Sequence, residues 1–81
     1  MTPPVNDLSF GAALIALQEG QRVTRAGWNE ANMFLQLQVP DEHSKMQQPY
    51  IYMIPVDGKL VPWLASQTDM LAQDWQVIEV N

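Results

Sequence analysis

The stretch Leu60 to Trp75, LVPWLASQTDMLAQDW, constrains this chain more than any other, because a strand must end and a helix must begin within a few positions of each other. Pro62 has no amide hydrogen to give to a ladder, so Val61-Pro62-Trp63 belongs at a strand end or a sheet edge. Ser66 and Thr68 then place hydroxyl oxygens ahead of Asp69-Met70-Leu71-Ala72. A short helix begins in this way, with a small polar side chain accepting from an unpaired first-turn amide. Asp69 adds negative charge at the positive end of that helix. The same amides and hydroxyls suit a phosphate, since a helix start attracts anions. Plain capping is the alternative, and general helix statistics favour it.

A second stretch, VTRAGWN from Val23 to Asn29, shares the three tryptophans with the first. Two Trp-centred loops flanked by small polar residues suit a ligand-gripping pair. Arg22 and Arg25 are two of only four cations, and Arg25 lies just ahead of Trp28. A guanidinium forks onto phosphate, and an indole stacks on a base through its π face. Core packing is the alternative for Trp28 and Trp63, because a small domain needs its large aromatics inside. Spacing leaves both readings open.

The 81 residues suffice for one domain, with a radius of gyration of about 12 Å expected from size scaling. A chain this short buries only about 60% of its unfolded surface, so association with further copies is a natural source of added burial. The hydrophobic fraction of 47% excludes a disordered tail. Absence of cysteine excludes a disulfide framework and thiolate metal ligation, and it fits a reducing cytoplasm. A net charge of -5 argues against polymeric nucleic acid, whose binding needs clustered Lys and Arg. One phosphorylated small molecule needs only one or two donors. The N-terminal MTPPVND lacks the basic start and apolar run of a signal peptide, and no apolar run approaches the ~20 residues that span a bilayer. A soluble cytosolic protein is expected.

In chain order, the prolines of residues 1–8 mark a loose arm, and residues 9–81 form the single domain. Ser9 is a good N-cap, Leu8 can staple onto Ala13, and Gly20 is placed as a left-handed stop. Phe10, Ala13, Leu14 and Leu17 form the apolar stripe that packs on a sheet. Ala12, Ile15 and Ala16 make the helix apolar on much of its other side, from deep packing or from a second contact surface. Gln21 to Arg25 reads as a short strand, and Trp28 and Asn29 follow on a loop. Met33 to Val39 alternates as a strand, and Pro40 to Pro49 reads as a mobile connection. Tyr50 to Ile54 is a strand apolar on both faces, Val56-Asp57-Gly58-Lys59 a hairpin turn, and Leu60 to Trp63 its return strand. Trp75 to Val80 closes the sheet. This order predicts an α+β domain with a mainly antiparallel sheet of about four to five strands, one N-terminal helix and one short C-terminal helix.

Catalytic and metal chemistry find little support. His43 is the sole histidine, and the adjacent Asp41-Glu42-His43 is a poor metal set, because neighbours in sequence rarely converge on one ion. A Ser66, His43, Asp69 hydrolase lacks any nucleophile-elbow pattern. The carboxylates are scattered, with no spacing that assigns acid and base roles. Neither a catalytic residue nor a cofactor is expected.

The runs SFGAALIALQEGQRVTRAGWN and YIYMIPVDGKLVPWLASQTDMLAQDWQVIEV together resemble the type-two Thoeris anti-defence sponges, small proteins of bacteriophages and prophages. The likeness extends from Ser9 to Val80 and is most specific in VPWLASQTDMLAQDW. It implies a non-enzymatic homotetramer in the cytoplasm of the infected bacterial host. Such a protein sequesters glycocyclic ADP-ribose signals that infected cells make to trigger their own death. Some members hold cyclic oligonucleotides of the CBASS type instead. On this resemblance Trp28 and Trp63 stack on ligand rings, Arg25 with Ser66, Gln67 and Thr68 takes phosphates, and Asn29 and Asp69 bond ribose hydroxyls. Two departures stand out: Ala12 replaces an acidic residue found in many relatives, and the central loop, Pro40 to Pro49 here, varies among them in length and sequence. The competing readings are a phosphodiesterase acting on the same ligand and a phage interaction protein with no small ligand.

Overall fold

Ser9 starts the first helix as its composition demands: its Oγ accepts from the Ala12 amide at 3.2 Å, and α1 runs Phe10–Gln18. The helix stops at Gly20, whose φ of 87° is left-handed. There Gly20 N–H donates to Leu17 O and Gln21 N–H to Ala16 O, both at 3.0 Å, the paired bonds of a Schellman ending. Residues 6–28, 33–45 and 47–78 are described by the computed structural model. Five strands follow the helix, with a second helix before the last: β1 Arg22–Arg25, β2 Phe34–Gln38, β3 Tyr50–Ile54, β4 Val61–Pro62, α2 Gln67–Leu71 and β5 Trp75–Ile78.

The sheet order is β4-β3-β2-β1-β5, and every neighbouring pair is antiparallel. This is the α+β architecture expected. Register places Val23 opposite both Leu35 and Val77. It also places Leu35 opposite Met53 and Arg25 opposite Trp75. Because side chains alternate along a strand, Val23, Leu35 and Trp75 share the face that α1 covers with Ala13, Ala16 and Leu17, and these six are the buried core among the described residues. Phe10 and Leu14 pack partly against it. On the other face the Arg22 guanidinium lies 4.7 Å from the Phe34 ring centroid, and its Nε donates to Gln36 Oε1 at 3.0 Å.

Several local expectations shift. Ala16, read from sequence with the second side of α1, belongs to the core, whereas Ile15 is 57% exposed. Leu8, placed in the arm, exchanges two backbone hydrogen bonds with Trp75, at 2.9 and 3.1 Å, and extends the edge beside β5. The return strand shortens to Val61–Pro62 at the sheet edge, where a residue lacking an N–H is tolerated. In the hairpin turn Gly58, not Asp57, takes the positive φ, at 78°. Asp57 instead accepts the Lys59 amide through its side chain at 2.9 Å. The connection after β2 has local order of its own. Asp41 Oδ1 accepts from the His43 amide and the Ser44 hydroxyl, while the Ser44 amide donates to Asp41 O. The last strand is described to Ile78, and Asn29 and residues 79–81 lie outside the described residues.

Candidate functional site

Trp75 opens β5 with its side chain fully buried, and three aromatic rings meet it. Its ring centroid lies 5.5 Å from Phe10, 5.6 Å from Trp28 and 6.0 Å from Trp63, the two tryptophans meeting it edge-on. Edge-to-face contact is the arrangement the ring quadrupole favours. The two Trp-centred loops therefore converge on the third tryptophan. Trp28 and Trp63 are half-buried, so each packs on the core and keeps some residual surface.

Ser66 is the N-cap of α2 and closes a reciprocal capping box with Asp69. Ser66 Oγ accepts from the Asp69 amide at 3.1 Å, and Asp69 Oδ2 accepts from the Ser66 amide at 3.1 Å and from its hydroxyl at 2.8 Å. The helix begins at Gln67, two residues earlier than expected, so Thr68 is inside the first turn rather than ahead of it; both side chains are exposed. Asp69 reaches a second element through its other oxygen. Oδ1 accepts from Arg25 Nη1 at 2.8 Å and from the Trp28 indole N–H at 3.4 Å, while the backbone carbonyl of Asp69 accepts the Trp75 indole N–H at 3.0 Å. One residue thus ties all three elements: the β1 loop, α2 and β5.

Arg25 lies between two carboxylates. Besides Asp69 it bonds Asp74, Nε to Oδ1 at 2.8 Å and Nη2 to Oδ2 at 3.4 Å, and Asp74 Oδ2 also accepts the Gly27 amide at 2.8 Å. The side chains of Arg25, Asp69 and Asp74 are 14%, 13% and 30% exposed, so these pairs are much less screened than a surface bridge. Asp74 was not singled out from sequence. Its signal was its place between a helix end and a strand start, which does not name a partner.

Arg25, Trp28, Trp63, Ser66 and Asp69 are brought together, with Gln67 and Thr68 on the adjoining turn. The geometry changes what two of them offer. Four donors surround the Asp69 carboxylate, and three of the five N–H groups of Arg25 point at carboxylates, so both carry a bracing load within the chain. Ser66 and Asp69 meet as a cap, while His43 Nε2 is 3.4 Å from Glu42 at the exposed central connection.

The network also sets a pH dependence. Burial tends to raise the Asp69 pKa, but the Ser66, Arg25 and Trp28 hydrogen bonds together outweigh it and hold the carboxyl below its ordinary value. Arg25 is the main cause that lowers Asp74, assisted by the Gly27 amide against a smaller effect of burial. Folded-state values below unfolded ones mean that the stabilisation is complete above about pH 4 and is lost as pH falls through the depressed values. Unfolding midpoints in urea are expected to be flat from pH 8 to 5 and to drop below about pH 4. With Asp69→Asn and Asp74→Asn combined, that drop should become shallower. An unchanged acid profile in the double variant would contradict this account.

A single antiparallel sheet with one covering helix, braced at one end by a tryptophan cluster and a three-residue ion-pair network, defines a small α+β domain. A family model of the Thoeris anti-defense 2-like domain, Tad2-like, matches residues 8–78. The chain is also 37% identical to Thoeris anti-defense 2 of Bacillus phage SP01 over 84 residues, covering 88% of this chain and 94% of that protein. The chain belongs to the Tad2-like family of Thoeris anti-defence proteins. Among the described residues no helix is long and apolar enough to cross a membrane.

Proposed function

We propose that this protein blocks Thoeris immunity by binding and sequestering a cyclic nucleotide signal of the glycocyclic ADP-ribose class without degrading it, in the cytoplasm of the infected bacterial host. The observation that carries the reading is the meeting of the Trp28 and Trp63 loops on Trp75 in a chain of this family. Two half-buried indoles at one end of a sheet offer π faces to a base or a nicotinamide-derived ring. Arg25, Ser66, Gln67 and Thr68 face phosphates in this reading, and Asn29 and Asp69 face ribose hydroxyls. Ser66, Arg25 and Asp69 do so with the bonding capacity their internal contacts leave.

The ligand pocket is shared between subunits, with a homotetramer as the assembly. A site for a dinucleotide-sized ligand needs several hundred Å³, and the chain has a radius of gyration of 12.8 Å. Leu64 and Leu71 flank the cluster and are 91% and 76% exposed, apolar surface that a further copy would cover. A CBASS-type cyclic oligonucleotide is the second ligand candidate, since the same stacking and phosphate chemistry serves it.

One experiment tests ligand, site and assembly together. Wild-type protein, Trp28→Ala and Trp63→Ala are titrated with glycocyclic ADP-ribose, and bound material is released by heat and weighed by mass spectrometry. Each alanine is expected to weaken binding about 5- to 150-fold, from about 1–3 kcal/mol of stacking per ring. The released ligand should have its original mass. A hydrolysed product would identify a phosphodiesterase, and wild-type affinity in Trp28→Ala would place the site elsewhere. Full binding by a chain that light scattering shows to be monomeric would contradict the shared pocket.

A further inference from the structure

We infer that Asp74 is a positioning residue, clamping the turn that presents Trp28; its relevance to binding rests on the reading of Trp28 as a ligand-stacking ring. Three successive residues, Arg25 at the end of β1 and then Ala26 and Gly27 of the β1–β2 loop, are held by this one aspartate. The Arg25 side chain bonds its carboxylate, the Ala26 amide donates to its backbone carbonyl at 3.1 Å, and the Gly27 amide donates to Oδ2 at 2.8 Å. The Trp28 amide then closes the turn onto Arg25 O at 3.2 Å. With the turn fixed, the Trp28 indole N–H reaches Asp69 and its ring lies edge-on to Trp75.

Gly27 shows how close this clamp is. A β-carbon there would lie 2.7 Å from Asp74 Oδ2 and 3.5 Å from Arg25 Nη2, while its φ is not in the left-handed region. Glycine is therefore required by the approach of the carboxylate and not by backbone conformation. A side chain at position 27 and the Asp74 carboxylate cannot both keep their places. The pair Arg25–Asp74 alone would stabilise the fold without orienting the loop; the Gly27 amide bond and the missing β-carbon are what direct the carboxylate to the turn.

Asp74→Asn perturbs the clamp from β5, and Gly27→Ala perturbs it from the loop. In ligand-free protein, both are expected to retain the wild-type circular dichroism. Both should shift the Trp28 indole N–H resonance, assigned with Trp28→Phe, and should speed hydrogen exchange of the residue-27 amide about tenfold or more, as a lost local closure requires. If the clamped turn is populated only a fifth of the time, affinity for glycocyclic ADP-ribose falls about fivefold. Because both changes break one contact, the double variant should bind no more weakly than the weaker single variant. Wild-type indole and amide signals in both folded variants, or fully additive losses, would overturn the inference. Failure of the wild-type protein to bind glycocyclic ADP-ribose would remove the functional reading alone, since the resonance and exchange measurements in ligand-free protein still decide whether Asp74 sets the loop.

Discussion

Trp75→Ala is expected to be the most destabilising single substitution in the chain. The side chain is fully buried and touches Phe10, Trp28 and Trp63, and truncating such a residue costs about 3–5 kcal/mol through lost burial and the cavity left behind. Small domains hold only about 0.05–0.15 kcal/mol per residue in total, so the loss takes a large share of what this chain has. The indole contributes more than bulk, because its N–H donates to the Asp69 carbonyl of α2. Trp75→Phe separates the two: it keeps much of the packing and abandons the hydrogen bond, at about 0.5–1.5 kcal/mol, because the Asp69 carbonyl keeps the Ala72 amide at 3.4 Å. Urea unfolding followed by far-ultraviolet circular dichroism measures both. A Trp75→Ala protein within 1 kcal/mol of wild type would show that the aromatic cluster is peripheral to stability.

Arg25→Ala should be the next most damaging change. It removes the cation that Asp69 and Asp74 share and leaves two carboxylates of like charge without it. Removing one member of a fully buried pair costs about 3–5 kcal/mol. Here Asp74 is 30% exposed, so solvent relieves part of the penalty and about 2–4 kcal/mol is expected. Arg25→Lys should recover less than half of that, since one ammonium cannot reproduce the three guanidinium bonds spread over two acceptors. The same substitution has a second signature: Asp74 loses the main partner that depresses its pKa and Asp69 loses one of several, so the acid-side fall in stability becomes shallower. An Arg25→Ala protein of wild-type stability, with an acid limb as steep as wild type's, would mean that the carboxylates find compensation in solvent.

Both outcomes bear on function, because the residues that brace the fold also hold the candidate site. In Trp75→Ala, Trp28 and Trp63 lose the ring they rest on; in Arg25→Ala, β1 loses its ion pair to α2 and only the longer Trp28 indole bond to Asp69, at 3.4 Å, still joins the loop to that helix. Affinity has to be read against folded fraction in each case. Trp28→Ala differs, because a half-buried ring at the end of a loop can be removed with less loss of packing.

Much of the secondary structure was legible in the chain because its causes are local. Ser9 and Ser66 cap the helices they precede, Gly20 ends the first one, and Pro62 takes the sheet edge. Each effect acts over a few residues and needs no knowledge of the rest of the molecule. Alternation in Phe34–Gln38 similarly fixed which side chains share a face. Ala16 was read on the wrong side of α1, because a helix this apolar has no polar face to orient it.

What the sequence could not give is which residues meet across long separations. Arg25 pairs with Asp69 and Asp74 across 44 and 49 positions, and nothing near Arg25 distinguishes those acids from the others. The pairing depends on β5 lying beside β1, which brings the start of one strand to the end of the other in antiparallel register. That same placement turns Trp75 inward to meet both other tryptophans. Caps and alternation are set by hydrogen-bonding geometry within a turn or a strand, whereas the order of strands in a sheet is decided by the burial of the whole core at once, and only the tertiary structure expresses it.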